Sequence, residues 1–180
     1  MVTIDDAHVF EGWEIVATPS VGYAVRFRLI VGPDFVARAL ELDADGPRGL
    51  RRLSVRRSPK GAWWADGKRR PDLDGCLDID VAATPLTNTP TIRRLALPPG
   101  RAADVEVAWV DVPSLAISVV RQRYEHVAPS PATPGAVDPE DRPDLDRYAF
   151  ATGAFRAILT VDPDGLVADY QHFAERVFRR

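Results

Sequence analysis

The chain has 180 residues, 46% of them apolar and 27% charged, with a formal net charge of −3; that length suits one domain, and no global field draws it to nucleic acid. Its one cysteine, Cys76, excludes an internal disulfide and a cysteine-rich zinc cluster and fits a reducing interior. The start, MVTIDDAHVFEGWEIV, lacks a basic n-region and an apolar h-region, and no window nears the ~20 apolar residues of a membrane helix, so a cytoplasmic protein without stable membrane insertion is expected.

In chain order, Tyr23, Val25, Phe27, Leu29 and Val31 recur at every second residue with Arg26 and Arg28 between them, which is the period of a half-buried strand. The spacing over 35–42 suits strand or helix. Nine basic residues fall between Arg48 and Arg70, RRLSVRR among them. Aromatic interleaving is absent from that run, so it predicts a solvated strand face rather than a nucleic-acid site. Trp63 and Trp64 are adjacent, so in a strand one of them faces away from the core. An indole there can stack on a sugar, line an apolar pocket or pack inward.

The densest polar stretch is GCLDIDVAATPLTNTPTIRRLAL, 75–97. Asp78 and Asp80 stand two apart and share one strand face, with Leu77, Ile79 and Val81 on the other. Paired carboxylates can do acid–base work or hold a cation, and they can equally accept bonds from threonines or pair with Arg93 or Arg94. Thr84-Pro85 and Thr89-Pro90 hold the residue before each proline extended, and Thr87, Asn88 and Thr89 predict a side-chain-capped turn. A strand over 92–97 would then close a hairpin, with Arg93 and Arg94 on opposite faces and one of them meeting Asp78 or Asp80.

Further along, Ala103, Val105, Val107 and Trp109 predict a strand with Trp109 in the core, and Leu115, Ile117 and Val119 predict another. Residues 128–144 hold many prolines and little apolar bulk, which predicts a surface loop. Over 148–161 the alternation changes phase at Gly153-Ala154, as one long strand bent by a bulge would. Leu166, Tyr170, Phe173 and Val177 are spaced as one helical stripe, so a C-terminal helix is expected. His8, His126 and His172 are far apart, and no HExxH, GxSxG, Walker or GxGxxG pattern occurs. No catalytic residue, metal ligand or cofactor is therefore assigned.

WWADG, LDGCLDIDVAATPLTNTPTIRRLAL, RQRY and LTVDPDGLVADY together resemble the putative glycolipid-binding family, over about 9–178 of the chain. The resemblance implies an antiparallel spiral β-roll, similar to the half-barrel of periplasmic lipoprotein carriers, around an apolar cavity with helical cover. It also implies a glycolipid-like ligand. The family pattern falls on Trp63, Asp66, Gly67, Gly75, Asp78, Asp80, Pro85, Thr87, Asn88, Arg93, Arg94, Tyr124, Gly165, Leu166 and Tyr170.

The resulting expectation is one domain over 1–180, mainly β with a C-terminal helix, that binds an amphiphilic small molecule without catalysis. The ligand-binding candidates are Trp63, Asp66, Asp78, Asp80, Thr87, Asn88, Arg93, Arg94 and Tyr124. A hydrolase or lyase working through Asp78 and Asp80, and a protein-interaction module, are the alternatives. The oligomeric state stays open.

Overall fold

Alternating apolar residues build two seven-stranded sheets, each laid down in chain order. The first runs β1 (Val2–Ile4), β2 (Ala7–Ala17), β3 (Gly22–Val31), β4 (Ala37–Gly46), β5 (Gly49–Arg57), β6 (Trp63–Ala65) and β7 (Lys68–Arg69). The second runs β8 (Asp78–Val81), β9 (Ala102–Val110), β10 (Ile117–His126), β11 (Asp146–Thr152), β12 (Phe155–Val161), β13 (Val167–Tyr170) and β14 (Ala174–Glu175), and it curls into a half-barrel. This computed structural model describes residues 2–4, 6–19, 21–82, 84–128 and 145–177. The proline-rich loop expected at 128–144 lies, but for its first residue, outside them.

Strand neighbours are antiparallel except β8 and β9, which run parallel. A parallel neighbour needs a crossover, and here it is a 3₁₀ turn, Pro85–Thr87, followed by helix α1 (Asn88–Leu95). That corrects the expected strand over 92–97 and the hairpin before it. Pro90 sits in the first turn of α1, where its missing N–H costs no helical bond. Ala96, left-handed at φ 43°, ends the helix.

Two cores follow from the register. Phe27, Leu29, Leu40 and Val55 of the first sheet pack with Ile79, Val81, Ala108 and Val110 of the second. Each of these side chains larger than alanine contributes about 1.5–3 kcal/mol by leaving water. Ala37 N–H also donates to Leu77 C=O at 2.8 Å, which ties the sheets together. On the opposite face of the second sheet, Tyr124, Phe150, Leu159 and Tyr170 surround Ile92 of α1. One glycine is demanded by close approach: a Cβ on Gly12 would meet the Phe27 ring at 2.6 Å.

The tail is not helical. Leu166 and Phe173 lie in turns around β13, and Tyr170 ends that strand, so a four-three-four spacing arises from successive hairpins. The single bent strand at 148–161 is likewise two strands, β11 and β12, paired from Asp146↔Val161 to Thr152↔Phe155. Gly153, at φ 53°, opens the two-residue turn between them. Trp109 is half-buried, while its neighbours Ala108 and Val110 take the core positions.

Candidate functional site

The polar stretch of the sequence becomes a buried lattice between β8, α1 and β10. Asp78 and Asp80 share the face of β8 that meets α1, while Ile79 and Val81 enter the inter-sheet core. Thr84 caps the 3₁₀ turn by accepting from Leu86 N–H at 3.2 Å. This turn delivers Thr87, whose hydroxyl accepts from Val81 N–H at 3.1 Å and donates to Asp80 Oδ1 at 2.8 Å.

From β10, Gln122 Nε2 donates to Asp80 Oδ2 at 2.6 Å, and Tyr124 OH donates to Gln122 Oε1 at 3.0 Å. Asn88 Nδ2 donates to Tyr124 OH at 2.9 Å. Arg94 grips Asp78 with both prongs, Nε to Oδ1 at 3.0 Å and Nη2 to Oδ2 at 2.5 Å. Burial raises the Asp80 carboxyl above the ordinary range, against the hydrogen bonds from Thr87 and Gln122, and the nearby Asp78 charge adds to the rise. Burial also holds the Tyr124 phenol well above its usual value.

The structure thus brings together Asp78, Asp80, Thr87, Asn88, Arg94 and Tyr124 and places the other three candidates elsewhere. Trp63 lies in the inter-sheet core, where its Nε1–H donates to Cys76 C=O at 3.2 Å. Asp66 turns the β6–β7 hairpin at φ 47° and accepts from Ser54 N–H at 2.9 Å. Arg93 faces outward, its guanidinium carbon 5.1 Å from the Phe35 ring centroid and its stem across Gly165. Gln122 is the link that sequence reading passed over. Its position two before Tyr124 in RQRY puts both on one strand face, which was the available signal.

Where an apolar cavity was expected, α1 and its polar contacts occupy the face of the half-barrel. A surface cleft of about 370 Å³ opens instead on the first sheet between Ser54, Arg56, Arg57, Ser58, Trp64 and Gly67. Trp64 is the indole that turns away from the core, half-buried, with the Arg69 guanidinium carbon 5.4 Å from its ring centroid. Arg57 also lines the cleft, its guanidinium carbon 6.0 Å from the buried Trp63 ring centroid. A smaller cleft, about 180 Å³, lies between the 3₁₀ turn and the β13–β14 hairpin. Neither is lined by Asp78 or Asp80. Among the described residues, no group of three His, Cys, Asp or Glu side chains is placed to hold a metal ion. No helix there is long and apolar enough to cross a membrane.

A family model described as "Putative glycolipid-binding" matches residues 2–176. The chain is also similar to the crystal structure of a DUF1089 family protein from Pseudomonas aeruginosa, at 26% identity and a TM-score of 0.74, over 97% of this chain and 94% of that one. No curated protein matches it.

Proposed function

The chain belongs to the putative glycolipid-binding family, and on that premise we propose that it binds, without catalysis, an amphiphile whose head group carries a sugar. The observation that carries this reading is the composition of the 370 Å³ cleft. Trp64 offers a flat apolar wall to a sugar ring, Arg56 and Arg57 offer N–H donors, and Ser54 and Ser58 offer hydroxyls. A few fixed polar groups on an aromatic wall are the usual means of orienting a ligand.

The α1 lattice fits a different role. Apart from the buried Thr89 hydroxyl, which has no partner among the described residues, its polar groups already satisfy one another, so a ligand entering there would have to break bonds that cost about 1–3 kcal/mol each to leave unmade. Asp78, Asp80, Thr87, Asn88, Arg94 and Tyr124 hold α1 in the half-barrel, and Arg93 is the one family-pattern arginine left on the surface. The hydrolase or lyase alternative asks for carboxylates opening into a cavity, and these two are engaged by Arg94, Thr87 and Gln122. A lone, buried cysteine supports keeping the protein in the cytoplasm.

Calorimetric titration of the purified protein with short-chain glycolipids, below their micelle concentrations, tests the reading. Trp64→Ala is expected to weaken binding roughly tenfold, about 1.4 kcal/mol, without moving Tm. Binding that survives Trp64→Ala but is lost in Arg93→Ala would move the head group to the α1 surface and overturn the cleft assignment.

A further inference from the structure

The end of the first sheet that carries the β2–β3 and β4–β5 turns gathers four of the eight large apolar side chains exposed among the described residues. Ile15, Ala24, Asp45 and Leu50 form one cross-strand row on the outer face, by the pairs Ile15↔Ala24, Ala24↔Asp45 and Asp45↔Leu50. At the usual strand spacing the row is about 14 Å long. Ile15 is 82% exposed and Leu50 54%, with Trp13 beside Ile15 at 68% and Val21 in the adjoining turn at 40%. Residues 49–52 are exposed on both faces of β5, so this end projects past the partner sheet.

Its charges run against the molecule. The chain is net negative, yet here Arg26, Arg48, Arg51 and Arg52 outnumber Asp43, Asp45 and the half-buried Glu14 between Trp13 and Ile15. Arg52 already pairs with Asp43 at 3.3 Å, and the Arg26 guanidinium carbon lies 5.3 Å from the Trp13 ring centroid.

The geometry points to this end as a docking surface for an anionic lipid bilayer, with Trp13, Ile15, Val21 and Leu50 entering the interfacial layer and the arginines meeting lipid phosphates. Tryptophan and arginine are suited to that boundary, because each has an apolar body and a polar tip. Arginines near such a surface each strengthen attachment roughly fivefold. The acidic remainder is repelled by the same surface, so the basic end leads. The inference stands whether or not the Trp64 cleft takes a sugar, because none of its residues lines that cleft.

The test is co-sedimentation of the full chain with phosphatidylcholine vesicles, with and without phosphatidylglycerol. Binding is expected only to the phosphatidylglycerol vesicles and is expected to weaken as salt is raised. Ile15→Asp with Leu50→Asp, and separately Arg48→Glu with Arg51→Glu, are each expected to weaken it roughly tenfold or more while circular dichroism and Tm hold. Should a variant unfold, the wild-type protein still decides: brominated lipid quenches its fluorescence, and Trp13→Phe removes most of that quenching. Absent binding, binding indifferent to both variant pairs, or quenching that Trp13→Phe leaves intact would overturn the proposal. So would a dimer of the wild type that Ile15→Asp dissolves, which would assign the patch to a second copy.

Discussion

Arginine meets carboxylate on both sheets, in very different surroundings. On the first, Arg52 lies 3.3 Å from Asp43 and Arg56 lies 3.2 Å from Glu41, with the two arginine side chains 75% and 72% exposed. On the second, Arg94 lies 2.5 Å from Asp78, with side chains 16% and 1% exposed. Water screens the first set, so forming those pairs changes little. In the second set it has been removed, and each partner depends on the other to justify its burial. The chemistry is the same, and burial decides which pairs the fold relies on.

The largest expected effect therefore comes from Asp78→Ala, which strands a mostly buried guanidinium and should cost about 3–5 kcal/mol in urea unfolding. A loss no greater than that of a surface pair would break the comparison. Tyr124→Phe comes next, because it unpairs Asn88 Nδ2 and Gln122 Oε1 and should cost about 1–3 kcal/mol. Glu41→Ala on the first sheet should cost less than about 1 kcal/mol and lose even that at high salt.

Acid titration sharpens the contrast through Asp80. Burial raises its folded pKa above the ordinary value of 3.8, so its contribution is fully present below that value and declines as pH climbs through the folded one. Wild type should hold a larger Tm advantage over Asp80→Asn near about pH 4 than at neutral pH. The exposed Asp72 and Asp74, lowered by hydrogen bonds from Arg70 and Arg69, run the other way: their contribution is fully present above the ordinary value and is lost as pH falls through the lowered one. The smallest effect concerns reactivity alone. Burial pushes the Cys76 thiol up to about 11, so the native protein should resist alkylation at neutral pH until it is unfolded.

Where one face of a strand is buried, the sequence could be read directly. Tyr23 to Val31 alternates because every second side chain enters the core, and the structure has β3 there. The family's motifs, Asp78-x-Asp80 to Arg94, also pointed to one real cluster. What could not be read was the topology that gives that cluster its shape. Ile92-Arg-Arg-Leu has strand-like composition, yet β8 pairs in parallel with β9 and the segment between them must cross over, a constraint written in long-range pairing rather than in local preference. The tail failed for a related reason, since Leu166, Tyr170 and Phe173 mark hairpin turns and strand ends whose spacing imitates a helix. Trp63 and Trp64 could be split into one inward and one outward ring. Which was which depended on the register Arg56↔Trp64 and Arg57↔Trp63, and local sequence does not carry that.

The order of strands bears on how the molecule is made. Because both sheets follow the chain, each strand meets its neighbour soon after the next one leaves the ribosome, and hairpins accumulate from one end. The first sheet is complete by Arg69, but the residues that cover its apolar face, Ile79 to Val110, come later. A growing chain therefore carries a finished, uncovered sheet through that interval. Nascent chains halted just before β8 should be the ones that bind chaperones or aggregate, and those halted well beyond β9 should not.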